Sequence, residues 1–499
     1  MHSDTRPSRR SFLAASALGA ASLSLGATPA RGQEPAAAGS PLQPATRAPV
    51  RLAVVGVRSR GFEHVNAFAR VPGCRIVALC DVDDDILQQR AAECRKGGGS
   101  RAPFEVATYR DPRALFASAD VDAVAIATPN HTHAMLAAWA LTAGKHVYVE
   151  KPVSHVVDEG QRLVELAARS GKVCATGTQA RSSRAVQAAM QFVHGGGLGK
   201  VTCSRGLCYK PRRPIGRVAG PQFAPASVDY DRWLGPVAYR PLRRANLHYD
   251  WHWDLHTGNG DLGNQGIHQM DLARWALGWN ALPDRVLSIG GRLGYADDGD
   301  SPNTQVVWFD CGGIPLLFEV RGLPKGKAEQ AGKWQMDRYD GIDIGNVIHG
   351  ERGTVRIGAN YDRAAFFDVD GKQQQEWKGG GDHFANFVEA VAANDPQRLA
   401  APIVDGHRSS AFCHYGIVSH RLGAMQSPDG VAVATKDLPP LAEAWQRMRD
   451  HLLANGVDLS ATPVTVGRAL AIDKASGDVA GDAEASALCH RVSREPYTF

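Results

Sequence analysis

The chain has 499 residues, 44% hydrophobic and 21% charged, which is a globular composition too long for one ordinary core. A formal charge of +5 is small for this length, and no basic run with interleaved aromatics appears, so no nucleic-acid partner is expected. The 9 cysteines are scattered, without a CxxC pair or zinc-finger spacing. They read as mostly buried thiols, and no metal is expected.

Residues 1–32 read as a targeting segment. Ser8-Arg9-Arg10-Ser11-Phe12-Leu13 precedes a run of Ala, Leu, Ser and Gly that ends near Ala30. A basic start, a mildly apolar centre and small residues towards the end make a signal peptide. Paired arginines before Phe-Leu resemble the twin-arginine type, which carries folded proteins and implies a periplasmic location. The plainer alternative is a disordered basic tail. The apolar run is short and rich in Gly and Ser, so no membrane span is expected after signal removal. Residues 33–49, rich in Pro, Ala and Gly, read as a linker.

A first domain is expected over 50–180. Arg51–Val55 is a buried strand leading into Gly56-Val57-Arg58-Ser59-Arg60-Gly61 and then a helix through His64 and Phe68. The order of strand, Gly-rich turn and helix resembles the dinucleotide fingerprint. Gly56 permits the tight turn and Gly61 lets helix and strand pack closely. Arg58 stands where the middle glycine is usual, and Arg58 or Arg60 would add positive charge near a pyrophosphate. The next strand, Arg75–Cys80, ends at Asp81. An acid there accepts hydrogen bonds from the adenosine ribose and repels a 2′-phosphate, which favours NAD over NADP. The alternative for Asp81 is a helix N-cap.

The alternation continues. The strand Val121–Ile126 is followed by Thr128-Pro129-Asn130-His131-Thr132-His133 and a helix over Ala134–Ala143. A short apolar strand, Val147-Tyr148-Val149, then stops at Glu150-Lys151-Pro152. Pro152 cannot donate to a sheet ladder. A charged pair therefore sits at the carboxyl end of a strand, where open α/β sheets bind ligands. A lysine there serves as proton donor or acceptor if its surroundings lower its pKa. A surface Glu-Lys pair before a turn is the bland alternative. A helix over Val156–Arg169 and a strand Lys172–Thr176, ending at Gly177-Thr178-Gln179, complete a doubly wound parallel sheet.

The set Gly56…Gly61, Asp81, Thr128-Pro129-Asn130…His133, Glu150-Lys151-Pro152 and Gly177-Thr178-Gln179 resembles the Gfo/Idh/MocA oxidoreductases. The resemblance covers about Val50 to Leu422. It implies a Rossmann domain holding the cofactor and a C-terminal α/β domain whose large, mainly antiparallel open sheet walls the active site. That sheet often forms an oligomer interface, so a homo-oligomer is expected. By resemblance, Val57 belongs to the nucleotide turn, Asn130 and His133 lie beside the cofactor, Glu150 and Lys151 lie near the nicotinamide, and Gln179 is close by.

The second domain is expected over 181–426. In Asp250–Trp275, the residues Asn264, His268, Asp271 and Trp275 fall at i, i+4, i+7 and i+11, one face of a helix. The stripe is polar until Trp275, which suits either a solvated face or a helix end pointing into a cleft. The element resembles the family's catalytic Asp-x-x-x-His, with His268 at the histidine and Asn264 where many members carry Asp. An amide orients a hydroxyl but cannot relay a proton. Proton transfer would then rest on Lys151 and His268, helped by Asp261 or Asp271. Trp251 and Trp253 suit either core packing or stacking on a sugar ring, and Trp253 is taken as a substrate residue. Sheet strands are expected at Arg285–Ile289, Thr304–Phe309, Pro315–Val320 and Thr354–Ile357, and helices at Asp382–Val391 and from Gly406. Residues 427–499 extend beyond the shared core, to cover a sheet edge or form a subunit contact.

Three functions follow from this reading. The first is an exported NAD-dependent oxidoreductase acting on a sugar or polyol hydroxyl with a tightly held cofactor. The second is an NAD-dependent glycosidase that oxidises its sugar transiently. The third is a sugar-binding protein that has lost catalysis. The expected partner in each is a small-molecule sugar or glycoside.

Overall fold

The computed structural model describes residues 48–98 and 102–499. The targeting segment and most of the linker lie outside the described residues. In chain order the first domain runs β1 (Val50–Val55), α1 (Ser59–Phe68), β2 (Cys74–Cys80), α2 (Asp84–Lys96), β3 (Ala107–Tyr109), α3 (Pro112–Phe116), β4 (Ala123–Ile126), α4 (His133–Thr142), β5 (His146–Val149), α5 (Val157–Ser170) and β6 (Cys174–Thr176). Its six strands are parallel in the order β3-β2-β1-β4-β5-β6. The strand order reverses between β1 and β4, and a crevice opens at such a point. Val55 is level with Cys80 and Ile126, Ile126 with Val149, and Val149 with Thr176. Gly56, Asp81, Thr128, Glu150 and Gly177 therefore emerge along one edge. Strands β1, β4, β5 and β6 are almost wholly buried, as a sheet covered on both faces requires, while β3 is an exposed edge.

The second domain continues with α6 (Arg184–His194), β7 (Val201–Tyr209), α7 (Tyr230–Leu234), α8 (Leu247–Asp250), α9 (Gly260–Gly263), α10 (Gly266–Ala276), β8 (Arg285–Gly291), β9 (Thr304–Cys311), β10 (Ile314–Arg321), β11 (Ile344–Gly350), β12 (Gly353–Gly358), β13 (Arg363–Phe367), β14 (Gln373–Lys378), α11 (His383–Ala393) and α12 (Ile403–Arg421). The second domain ends with β15 (Ala424–Gln426), and the extension adds α13 (Pro428–Thr435), α14 (Pro439–Ala454), β16 (Val464–Val466), β17 (Leu470–Ala471) and α15 (Ala483–Cys489). The large sheet runs β14-β13-β12-β11-β7-β10-β9-β8-β16-β15, with β17 also on β8. It is antiparallel except where β10 runs parallel to β7.

The boundary at residue 181 separates the two sheets but not the two cores. Phe387 and Val388 of α11 pack with Leu52, Val54 and Tyr148 against the first sheet. The long helix α12 lies between the sheets. Its Phe412 meets Phe309 of β9 with ring centroids 4.9 Å apart, and its Ser410 Oγ accepts the Val153 N–H at 3.1 Å. A buried ion network ties the same elements. Arg181 holds Asp271 at 2.7 and 2.9 Å and Asp405 at 2.9 Å, and Arg274 reaches Asp405 at 2.9 Å.

The extension covers a sheet edge, since β16 pairs with β8 and β15 with β16. Helix α14 lays Leu441, Trp445, Met448 and Leu452 over Leu287, Trp308 and Leu317 of the sheet. The last residues return to the first domain, where the Thr498 carbonyl accepts from Trp139 Nε1 at 2.8 Å. Among the described residues no helix is long and apolar enough to cross a membrane. Eight of the nine cysteines are buried and Cys74 is half-buried. Trp445→Ala is expected to cost about 3–5 kcal/mol of unfolding free energy in a urea titration. A loss below about 1 kcal/mol would show that α14 is not part of the cooperative unit.

Candidate active site

A cleft of about 490 Å³ opens along the carboxyl ends of the first sheet, between Gly56, Arg58, Asp81 and Thr128 on one side and Lys210, Trp251 and Asn264 on the other. The turn after β1 is built by close approach. Gly56 has φ +79°, and a Cβ on Gly61 would lie 1.6 Å from the Gly56 carbonyl oxygen. The first turn of α1 carries no side-chain cap, so its amide groups are open to an anion. Asp81 accepts the Val57 N–H at 2.7 Å and the Asp83 N–H at 3.0 Å, and Asp83, not Asp81, is the N-cap of α2. Burial pushes the Asp81 carboxyl up to about 6, against the backbone N–H groups that favour its ionised form. This cradle fits a dinucleotide. Gly56, Arg58 and the first turn of α1 would hold a pyrophosphate, and Asp81 the adenosine ribose.

Several expected cofactor residues have other tasks. Val57 is fully buried and its N–H orients Asp81, so it does not line the cleft. Gly61 acts through packing. Arg60 does not serve as free charge for a pyrophosphate, because its guanidinium bonds Glu150 and Glu63 at 2.8 Å and Gln179 Oε1 at 3.1 Å. Gln179 steadies Arg60 and is not part of the cleft wall. Glu150 is buried and also meets His64 Nε2 at 2.9 Å. Burial opposes its ionisation, but Arg60, His64 and Lys151 outweigh burial and hold its carboxyl well below the usual range. His64 escaped the sequence reading because a histidine at a helical core position carries no signal of its own. Asn130 donates to Asn259 Oδ1 at 3.0 Å, joining the two domains beside the cleft. His133 places each ring nitrogen 2.7 Å from a carbonyl, those of Thr128 and Pro152, and so laces together the loops after β4 and β5.

Lys151 is the centre of the arrangement. Its Nζ donates to the Asn264 main-chain carbonyl at 3.0 Å. Burial lowers its proton affinity, Glu150 opposes that, and Arg60, Lys210 and Arg212 lower it further. The expected single helix through Asn264, His268, Asp271 and Trp275 is broken at Asn264-Gln265, between α9 and α10. Gly266 marks the break, because a Cβ there would lie 2.7 Å from the Asp261 carbonyl and 2.8 Å from the Phe318 ring. The break offers the Asn264 carbonyl, rather than an amide side chain at the family's acidic position, to Lys151.

The remaining expectations divide. His268 is buried and outside the cleft wall, with Nδ1 unpartnered. Burial, then Lys151, pushes it down to about 3, so it is neutral near pH 7 and cannot act there as an imidazolium acid. Asp261 is locked to Arg212 at 2.7 and 2.6 Å and Asp271 to Arg181, so neither is free to relay a proton. Trp253 faces inward, 4% exposed, with the Arg212 guanidinium 5.1 Å from its ring, and is a core residue rather than a substrate contact. A 3-10 turn over Trp251–Trp253 causes this, leaving Tyr249, Trp251 and His252 on the cleft wall. Lys210 and Arg212, also on the wall, were missed. Their one signal in the sequence is the basic run Lys210-Pro-Arg-Arg213.

Residues 50–178 match the profile of the Gfo/Idh/MocA oxidoreductase family's NAD-binding Rossmann fold, and residues 198–288 that of its C-terminal α/β domain. Over these residues the two domains are similar to those of the Gfo/Idh/MocA oxidoreductases. A "Glycosyl hydrolase family 109 protein" of Streptomyces niveus is 38% identical over 128 residues, 26% of either chain. One of Saccharopolyspora erythraea is 34% identical over 210 residues, 42% of this chain and 46% of its own. The chain thus spans less than half the length of these relatives. Among solved structures, the WlbA dehydrogenase from Bordetella pertussis, in complex with NADH and UDP-GlcNAcA, superposes with a TM-score of 0.53 at 20% identity, covering 74% of this chain and 94% of that one. GenD2 from gentamicin A biosynthesis, in complex with NAD, gives 0.50 at 18% identity over 75% and 95%. These likenesses establish the fold, an NAD-binding Rossmann domain followed by an α/β domain with a large, mainly antiparallel sheet.

A ribose donates its hydroxyls best to an ionised Asp81. Because the carboxyl titrates near 6, NAD affinity is expected to fall as pH drops, by about tenfold between pH 7 and pH 5 in calorimetric titrations. Asp81→Asn is expected to flatten that dependence. A flat profile in the unaltered protein would contradict the role given to Asp81.

Proposed function

We propose that the protein is an exported, NAD-dependent oxidoreductase that moves hydride between a sugar or polyol hydroxyl and a tightly held cofactor. The observation that carries this reading is Lys151. Its ammonium lies at the carboxyl end of β5, inside the cleft, with lowered proton affinity and, among the described residues, the Asn264 carbonyl as its one hydrogen-bond partner. An amine so placed accepts a proton from a substrate hydroxyl nearer neutral pH than an exposed lysine does. NAD, when bound, supplies the hydride acceptor and donor. The chain's own work is to orient the carbinol, hold its proton at Lys151 Nζ and exclude water. Tyr249, Trp251 and His252 line the wall on which a sugar would rest. His268, neutral and with an unpartnered Nδ1, stands as a hydrogen-bonding neighbour rather than an acid.

The twin-arginine segment supports export of a protein already folded around its cofactor. A cofactor carried out in this way has to be recycled on the enzyme. That requirement favours a closed redox cycle and supports a second reading, redox-neutral glycoside cleavage. The names of the curated relatives, glycosyl hydrolase family 109 proteins, favour it specifically.

One experiment separates the two. The mature protein, without added nucleotide, is incubated with a panel of nitrophenyl glycosides while nitrophenol and NADH absorbance are followed together. The oxidoreductase reading expects NADH stoichiometric with enzyme and no nitrophenol. Sustained nitrophenol release without lasting NADH would overturn it in favour of the hydrolase. In either case Lys151→Met is expected to lower turnover by 10²-fold or more, the scale of a lost acid–base group, with NAD content after denaturation unchanged. Turnover within threefold of the unaltered enzyme would remove Lys151 from the mechanism.

A further inference from the structure

Two ammonium groups, one from each domain, face the cleft with no carboxylate within salt-bridge distance among the described residues. Lys210 follows the last residue of β7, and its Nζ donates to Gln265 Oε1 at 2.8 Å. Lys151 Nζ donates to the Asn264 carbonyl. Among the described residues neither ammonium has a carboxylate partner. The arginines beside them are already satisfied, Arg212 doubly by Asp261 and Arg60 by Glu150 and Glu63. The contrast is by residue type, since the arginines next to this pair are each met by an acid. Two half-buried ammonium groups facing one cleft are costly unless an anion joins them. Their coupling is visible in Lys151, whose proton affinity Lys210 and Arg212 both reduce.

We propose that Lys210 is a specificity residue that receives an oxyanion carried by the substrate, a carboxylate or a phosphate, so that the protein's substrate is an acidic sugar. This rests on the sugar reading given above. Lysine suits the task as a point charge whose three donors adapt to either oxyanion. Gln265, on the break between α9 and α10, holds the ammonium towards the cleft. The bound anion would also stabilise the protonated form of Lys151. Binding and proton transfer would therefore be linked, with the acid favouring the ammonium that forms as the carbinol gives up its proton.

The test is calorimetric titration of the NAD-loaded protein with matched ligands: D-glucose, D-glucuronate and D-glucose 6-phosphate, their galacto epimers, and inorganic phosphate as a sugar-free probe. The expected result is a preference of tenfold or more for an acid over its neutral parent. That ratio is expected to collapse towards one in Lys210→Met and to be restored in Lys210→Arg, which keeps the charge and controls for folding. Equal affinity for acid and parent, or an acid preference untouched by Lys210→Met, would overturn the proposal and leave the sugar reading standing. Binding of inorganic phosphate that depends on Lys210, with no saccharide bound in either form, would support the anion site and overturn the sugar reading. The ratio of glucuronate to glucose 6-phosphate affinity distinguishes a carboxylate from a phosphate.

Discussion

One hydrogen bond, from Lys151 Nζ to the Asn264 carbonyl, joins the two domains at the point where chemistry is expected. It depends on a strand that stops at the right place and on a helix that breaks at the right place. β5 ends at Val149, level with its neighbours, so Glu150 and Lys151 leave the sheet at its carboxyl edge. The break between α9 and α10 frees a carbonyl that a continuous helix would have consumed. An ammonium held by one neutral oxygen in a buried setting is poorly compensated, and that poor compensation equips it to release or take a proton.

The surroundings of Lys151 sort charge by residue type. Arginines are spent on structural carboxylates, Arg60 on Glu150, Arg212 on Asp261 and Arg181 on Asp271. Their planar forks make those pairs rigid and keep them charged. Among the described residues neither Lys151 nor Lys210 has a carboxylate within salt-bridge distance. The consequence is a stiff frame around two adaptable cations. Glu150, although adjacent in sequence to Lys151, belongs to the frame, fixed by Arg60 and His64.

The first domain was legible because its signals are local. A Gly-rich turn after a strand, an acid at the end of the next strand and a Glu-Lys-Pro stop each fix a place on the sheet edge, and the sheet order follows from alternation. Gly56, Asp81 and Lys151 stand where the spacing puts them. The site's other half was less legible because it is made by long-range contacts. Nothing near Asn264 announces that its carbonyl, not its amide, is the working group. The steric demand at Gly266 comes in part from Phe318, some fifty residues later. Trp253 and Asp271 have functional side chains by type, but tertiary packing assigns both to the interior. Lys210 was passed over because a basic run after a strand reads as solvated surface until the facing helix is in place. The extension shows the same limit. Its β16 is three residues long, yet it closes an edge of the large sheet.

Burial, with Arg60, Lys210 and Arg212 beside it, outweighs Glu150 and lowers the proton affinity of Lys151 below that of an ordinary lysine, which titrates at about 10.4. This lowering is tested directly by reductive ¹³C-methylation of the folded protein and NMR titration of the methyl resonance assigned through Lys151→Arg. The account predicts a titration below the ordinary value that moves upward in Lys210→Met, as one neighbouring charge is removed. A Lys151 resonance that titrates with the exposed lysines, and does not respond to Lys210→Met, would contradict it.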